Sequence, residues 1–423
     1  MWTHRPCRSL QRLHSIASHD VFRKHVDTLV FEGNILANVG CEHSYAAHYD
    51  LEHHKDEKPQ APPRNCTPRE RRLYERNLVK FNANILKKYE YYRRVYDAQQ
   101  TVIASSAYSD LVAPSILRFP KVNKIVLSTV GRCKHVLSER FLQTFAVDCA
   151  MPVDHDTKHT KCQLEHLILP RGNPLKTLQS LEVHVLSPKF FMGFQPAAKI
   201  VEAFRNLRRI DLNFRLEKDE RPDLEFMGAD FCYAGLSKGI LRDALAAATE
   251  LEDLTINFDD FGYYGSCINV KHILGDSSWP KLKELDIDCM STSQDYLLNV
   301  MKRQRALRRV RLGFIMLDVG LWPHTVNRMQ KELKLETFYA HGILEDNERM
   351  YSMHLINADF YMDDFARFTL SEALDIYICE ESEEYDSEDV YNPLLDDAFA
   401  DPEELREEFG PFSDDDGSDM DCD

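Results

Sequence analysis

The sequence lacks the short motifs that mark the common enzyme classes. It contains no Gly-x-Gly-x-x-Gly, no phosphate loop ending in Gly-Lys-Ser or Gly-Lys-Thr, no His-Glu-x-x-His and no Gly-x-Ser-x-Gly. Paired acids such as Asp259–Asp260 and Asp363–Asp364 are common on protein surfaces, and His155–Asp156 has no nucleophile beside it. We therefore predict a protein that is not an enzyme and that has no cofactor.

Long apolar runs and paired cysteines are also missing. No stretch of about 18 apolar residues is present, so we expect no membrane span. The 11 cysteines occur singly, without a Cys-x-x-Cys pair, which favours reduced thiols in the cytoplasm or nucleus. The histidine-rich stretch CEHSYAAHYDLEHH, which begins at Cys41, matches no tetrahedral ligand spacing, and we predict no metal site.

The N-terminal twenty residues, MWTHRPCRSLQRLHSIASHD, are basic but lack the apolar stretch of a secretory signal. Two interpretations remain open. Arg5, Arg8 and Arg12 precede the first acid, Asp20, as in a mitochondrial presequence, whereas a surface helix leading into a strand needs no targeting role. We favour the helix.

Negative charge is concentrated at the C-terminal end. Residues 380–423 contain 20 acids and one base, Arg406, whereas the other residues carry 51 bases and 49 acids. So charged a segment does not fold unaided, and we predict a disordered acidic tail at 380–423. Ser413 and Ser418 each have an acid three residues later, which suits acidophilic kinases.

A long amphipathic helix is predicted over residues 67–104. Thr67 and Glu70 form a capping-box pattern around Pro68, which suits the first helical position. One helical face then carries Tyr74, Leu78, Phe81, Ile85, Tyr89, Tyr92, Tyr96 and Ile103. The bases lie off this stripe, so we predict an inner tyrosine-rich face with solvated bases outside, and not a nucleic-acid-binding helix.

An eight-residue pattern recurs along the chain from about residue 119. LEDLTINF at 251–258 resembles LRRIDLNF at 207–214, LKELDIDC at 282–289 and LRRVRLGF at 307–314. The template is apolar-x-x-apolar-x-apolar, and its predicted copies are Val122/Ile125/Leu127, Leu164/Leu167/Leu169, Leu178/Leu181/Val183, Leu207/Ile210/Leu212, Leu251/Leu254/Ile256, Leu282/Leu285/Ile287, Leu307/Val310/Leu312 and Leu335/Phe338/Ala340.

Helical segments precede four of these copies, at 196–206, 237–250, 293–305 and 324–334. This alternation predicts an α/β fold, an irregular leucine-rich-repeat-like solenoid of short parallel strands and helices. We expect three parts: 1–115, helical, with a polar loop at 32–66 and the long helix at 67–104; the solenoid at 116–379; and the tail at 380–423.

The repeats resemble the divergent leucine-rich region of fungal F-box proteins. SLQRLHSIASHDVFRKHVDTLVFEGN resembles the segment after the F-box, and YEYYRRVYDAQQTVI resembles the family's tyrosine-rich helix. The resemblance implies substrate recognition in a ubiquitin ligase. An F-box itself is not visible in this chain, so we expect a cullin-ligase adaptor as partner only if that module is supplied from elsewhere.

Template positions three, five and seven point away from the core of such a fold, because side chains alternate along a strand. They form the predicted partner-binding face: Arg209, Asp211, Asn213, Asp253, Thr255, Asn257, Glu284, Asp286, Asp288, Arg309, Arg311, Gly313, Thr337, Tyr339 and His341. We predict a non-enzymatic protein-protein interaction module. The alternative is a scaffold or chaperone-like binder of basic proteins that acts through its acidic tail, independently of ubiquitination. Neither interpretation involves a membrane, and nucleic acid is not the favoured partner.

Overall fold

The computed structural model describes residues 5–52, 59–63, 65–105, 108–128, 153–154, 158–192, 197–216, 225–258, 268–353, 369–379 and 392–395. The chain divides into two compact units, Met1–Thr249 and Glu250–Asp423. This division differs from the predicted boundary after residue 115. The reason is that Thr28–Glu32 pairs in parallel with Lys124–Ser128, so the N-terminal segment contributes a strand to the sheet that follows it.

The first unit combines short strands with helices. Its strands are β1 (Thr28–Glu32), β2 (Ile35–Leu36), β3 (Lys124–Ser128), β4 (Val153–Asp154), β5 (Ser180–Leu186) and β6 (Arg209–Phe214). Its helices are α1 (Arg5–Ser18), α2 (Glu42–Glu52), α3 (Pro68–Ala104), α4 (Ala113–Ile116), α5 (Lys158–Ile168), α6 (Ala197–Phe204), α7 (Glu225–Leu236) and α8 (Ile240–Ala247). Strands β1, β3, β5 and β6 pair in parallel in that order, and β2 pairs with β4 in antiparallel fashion.

Helix α3 confirms the predicted capping box and the predicted inner stripe. The Thr67 backbone N–H donates to Glu70 Oε2 over 2.7 Å, and the Glu70 N–H donates to Thr67 Oγ1 over 3.3 Å. Ile85 and Tyr92 are buried in a cluster with Leu36 and Tyr45. The stripe therefore packs inward, as predicted.

The predicted polar loop at 32–66 is partly wrong, because it contains β2 and α2. Tyr45 of α2 is fully buried, and its ring centroid lies 5.6 Å from that of Tyr89 and 5.4 Å from that of Tyr92. The Gln99 side chain binds β2 by accepting from the Leu36 N–H and donating to the Asn34 carbonyl, both over 2.7 Å. Contacts with α3, rather than an apolar stripe of its own, thus stabilise this segment.

One predicted repeat, Leu164/Leu167/Leu169, is also wrong. These residues are buried, but they belong to α5 and to the residue after it. Together with Ile168, their spacing fits one helical face as well as it fits the strand template. The next predicted copy, Leu178/Leu181/Val183, follows unusually soon because residues 164–168 belong to a helix. Leu181 and Val183 of that copy lie in β5.

The second unit contains β7 (Asp253–Phe258), β8 (Ile268–Asn269), β9 (Glu284–Ser293), β10 (Arg309–Val319), β11 (Thr337–Glu345) and β12 (Met350–Ser352). Its helices are α9 (Val270–Leu274), α10 (Gln294–Arg303), α11 (Trp322–Glu332) and α12 (Leu370–Cys379). Strands β7, β9, β10 and β11 pair in parallel in that order, β8 also pairs with β9, and β12 pairs antiparallel with β11. The predicted α/β class with short parallel strands and intervening helices is confirmed.

The template residues form the core of the second unit. Leu251, Leu254 and Ile256 have no exposed surface, and the equivalent residues of β9, β10 and β11 are buried as well. Each fully buried Leu or Ile contributes roughly 1.5–3 kcal/mol. Because alternate side chains point to the opposite face, burial of this set places the polar positions of four neighbouring strands side by side.

The acidic tail contains one structured segment among its described residues. Pro393–Leu395 forms a single helical turn, and Asn392, Pro393 and Leu394 are buried. The prediction of disorder therefore does not hold for residues 392–395. The remainder of 380–423, including Ser413 and Ser418, lies outside the described residues, and its disorder and phosphorylation stay predictions.

Candidate functional site

The polar positions of β7, β9, β10 and β11 lie in three cross-strand rows, which we call the polar face. Row one is Asp253, Glu284, Arg309 and Thr337. Row two is Thr255, Asp286, Arg311 and Tyr339. Row three is Asn257, Asp288, Gly313 and His341. The observed register thus pairs equivalent template positions of neighbouring strands.

Row one is largely neutralised by an ion pair. The Arg309 Nε and one terminal nitrogen donate to Glu284 Oε2 over 3.1 and 2.7 Å. This pairing raises the pKa of Arg309 further above its usual range. Both side chains reach solvent, so the pair contributes at most about 1 kcal/mol to stability.

Row two contains a carboxylate in an unfavourable environment. Burial is the main cause that raises the pKa of Asp286 to about 6; nearby Arg311 acts in the opposite direction, and Asp288 adds to the increase. Among the described residues, Asp286 has no hydrogen-bond or salt-bridge partner. The Arg311 guanidinium carbon lies 5.9 Å from the ring centroid of the exposed Tyr339, the next member of the row, in a cation-π contact.

Row three depends on the missing side chain of Gly313. Asp288 and His341 lie on the two strands that flank β10, and His341 Nε2 is 3.2 Å from Asp288 Oδ2. A Cβ on Gly313 would lie 2.3 Å from the His341 ring and 2.5 Å from Asp288 Oδ1. Glycine therefore allows the pair to meet across a strand. The hydrogen bond to Asp288 is the main cause that raises the pKa of His341.

Directly after row three, β9, β10 and β11 each contain one residue with a positive φ. Cys289, Phe314 and Gly342 have φ values of 57°, 45° and 66°, and the pairing register of β10 and β11 shifts between Gly313 and Ile315. Such bulges redirect side chains. Here Phe314 stays partly exposed, and its ring lies edge-on to His341 at 6.1 Å. Tyr339 also stacks on His341, with the two ring centroids 5.8 Å apart.

Two buried polar atoms of row three lack partners within the part of the chain that the structure describes. They are Asn257 Oδ1 and His341 Nδ1. A buried acceptor without a donor costs roughly 1–3 kcal/mol. With Asp286, these atoms make rows two and three the part of the polar face with unused hydrogen-bonding capacity.

Three predicted site residues belong to the first unit, where β6 carries Arg209, Asp211 and Asn213. The Asn213 side-chain amide donates to Asp211 Oδ1 over 2.8 Å. Asn213 and Asp288 are only 8% exposed, so these two predicted face residues are nearly buried. Asp288 is hydrogen-bonded to His341 across Gly313, and Asn213 is hydrogen-bonded to Asp211.

The template did not predict Phe314 or Gly342 as parts of this face. The His-Gly pair at 341–342 is the sole sequence signal for the bulge, and it says nothing of Phe314. Among the described residues, no group of three or more His, Cys, Asp or Glu side chains is placed to hold a metal ion. In the same residues, no helix is long and apolar enough to span a bilayer.

The fold and the face together define an α/β protein whose parallel strands present rows of polar side chains. No protein-family model and no curated protein matches the chain.

Proposed function

We propose that the polar face of the second unit binds a protein partner and that the chain is a non-enzymatic interaction module. In this proposal the strand-helix units form an irregular leucine-rich-type solenoid. The chain order of β7, β9, β10 and β11 supports it, because each unit adds one strand next to the previous one. Repeats of this kind present a continuous surface to a partner.

The unused hydrogen-bonding capacity of rows two and three carries the proposal. Asp286 is a partly buried carboxylate without a partner among the described residues, and Asn257 Oδ1 and His341 Nδ1 are buried without one. Of these groups the Asp286 carboxylate is partly exposed, and an interface can supply it with a donor.

The chemistry of these rows favours a basic side chain of the partner. A lysine or arginine placed over Asp286 would donate to its carboxylate and lower the cost of burying that charge. Tyr339 is 46% exposed and Phe314 is 39% exposed, so apolar groups next to that basic residue have aromatic surface to cover. Tyrosine is common among the residues that dominate binding energy at interfaces.

The F-box resemblance favours substrate recognition for ubiquitination as the class of interaction. The polar face would then hold the substrate. The same face serves equally for a partner unconnected with ubiquitination.

Affinity purification of the tagged full chain from its own cells, with partners quantified by mass spectrometry, tests the proposal. Asp286→Lys places a positive charge where the partner's basic residue is proposed to lie, and we expect at least a tenfold loss of the bound partner. Asp276→Lys makes the same charge change at a residue whose side chain is 89% exposed and lies outside the polar face.

The two variants together distinguish the outcomes. Loss with Asp286→Lys and retention with Asp276→Lys would support the polar face, provided that both variants melt as the unaltered chain does. Equal recovery of every partner by both variants would contradict it. Co-purification of the cullin adaptor would assign the interaction to a ligase.

A further inference from the structure

The structured turn of the acidic tail lies against helices α11 and α12 of the second unit. Asn392 is 4% exposed and Leu394 is 1% exposed, although the sequence around them is strongly acidic. The polar amide of Asn392 and the apolar side chain of Leu394 are thus both removed from water.

The Asn392 amide makes specific contacts with α11. Its Nδ2 donates to the Pro323 carbonyl over 2.9 Å and to Asn327 Oδ1 over 3.0 Å, so both amide hydrogens are used. The Tyr377 hydroxyl of α12 also donates to Asn327 Oδ1. A side chain without the amide would make neither of these two buried hydrogen bonds, so the site favours asparagine at this position.

Two internal hydrogen bonds hold the tail segment in a turn. Asn392 Oδ1 accepts from the Leu394 N–H over 3.0 Å, and the Asn392 carbonyl accepts from the Leu395 N–H, also over 3.0 Å. Pro393 fixes its own φ between these two bonds. Asn-Pro sequences favour this turn, so part of the ordering cost is met before docking.

We propose that α11 and α12 form a binding site for a short Asn-Pro-Leu peptide and that the chain's own tail occupies this site in cis. The ligand is recognised by its buried amide, its proline-fixed turn and one leucine, and not by its flanking acids. The site is separate from the polar face, so it does not depend on the function proposed above. Because the segment is tethered, its local concentration is high and a modest intrinsic affinity suffices to keep it bound.

A cleavable version of the full chain tests this proposal. A site-specific protease sequence is inserted between Glu383 and Glu384, the folded protein is cut, and binding of the fluorescently labelled 384–423 fragment is followed by gel filtration and anisotropy. We expect the fragment to stay bound at high protein concentration and to be displaced by a synthetic peptide of residues 389–397. A peptide with Asn392→Ala should compete roughly tenfold less well or worse.

Two controls separate the proposed site from general charge attraction. Leu395→Ala in the peptide removes a side chain that is 50% exposed, and it should change competition less than twofold. A peptide that keeps the acids but replaces Asn-Pro-Leu with Gly-Ser-Gly should not compete. Equal competition by this peptide or by the Asn392→Ala peptide would overturn the proposal, as would full release of the unaltered fragment on cleavage at high protein concentration.

Discussion

Replacement of Gly313 by alanine is the sharpest test of the polar face, because it changes the face by one methyl group. The φ of Gly313 is not in the left-handed region, so alanine fits the backbone. The new methyl group would lie 2.3 Å from the His341 ring and 2.5 Å from Asp288 Oδ1. Both side chains must move apart, and the Asp288–His341 hydrogen bond is lost.

The expected cost follows from three contributions. A hydrogen bond to a charged group contributes about 1.5–3 kcal/mol, and the lower end applies because the His341 side chain is 30% exposed. Crowding adds about 1 kcal/mol, the lower end of the usual range, because both side chains can move aside. Alanine in a strand recovers about 0.5–1 kcal/mol of backbone entropy. We therefore expect a net loss of about 1–2 kcal/mol, or roughly 2–8 °C in Tm.

The assay combines denaturant unfolding with histidine NMR. The raised pKa of His341 should fall towards its ordinary value in Gly313→Ala. Since that pKa is raised in the folded state, its stabilising contribution is complete below about pH 6.5 and disappears as the pH rises through the folded-state pKa. The loss caused by Gly313→Ala should therefore be larger at pH 6 than at pH 9.

A double variant controls for steric effects unrelated to the pair. In a His341→Ala background the methyl group meets only the Asp288 carboxylate, which can rotate away once its partner is gone, and Gly313→Ala should then cost less than about 0.5 kcal/mol. An equal cost in both backgrounds, or an unchanged histidine pKa, would refute the argument that glycine serves to bring Asp288 and His341 together.

Four further perturbations test other parts of the structure. Asp286→Asn should raise stability by about 1–2 kcal/mol at pH 8 but not at pH 3.5. The folded-state pKa of Asp286 is raised to about 6, so ionisation of this carboxyl above about pH 4 costs stability. Unfolding measured across this pH range checks the prediction. Leu254→Asp should cost more than about 4 kcal/mol by burying a charge, whereas Asp253→Lys should change Tm little, and equal losses would refute the strand orientation. Leu394→Ala should lower the stability of the second unit by about 2 kcal/mol, and an unchanged Tm would show that the tail turn does not stabilise it. Asp375→Ala should cost about 1–2 kcal/mol in urea unfolding, because the Phe338 N–H loses its 2.6 Å acceptor.

The local pattern of the sequence predicts the strands and the helices that precede them. Apolar template residues at β7, β9 and β10 are buried, and the helices predicted at 196–206, 237–250, 293–305 and 324–334 overlap α6, α8, α10 and α11 closely. These elements have strong periodicity, so short-range information suffices. Helix α2 was missed because its stability comes from Tyr45 packing against α3, a contact between residues that are distant in sequence.

The chemistry of the polar face is harder to predict than its position. Alternation along a strand indicates that Asp288 and His341 share a face, but not that they meet. Their contact requires the parallel register on both sides of β10 and the absence of a side chain at Gly313. A glycine in a strand indicates a close approach without saying which groups approach. The pKa increases at Asp286 and His341 follow from that geometry, so composition and spacing could not supply them.

The open edge of β11, the last parallel strand of the second unit, explains the position of the helix on which the tail turn packs. Strand β11 pairs with β10 on one side, but β12 pairs only with its final residues, which leaves the Phe338 and Ala340 N–H groups facing away from the sheet. Helix α12 satisfies them through Asp375 Oδ1 at 2.6 Å and Ser371 Oγ at 3.2 Å. An open edge invites pairing with other chains, so a covering helix is the expected solution. That helix then lies beside α11 with an outer surface of its own, and the Asn392 turn covers part of that surface. Protection of the edge and the binding site for the tail thus follow from the same helix.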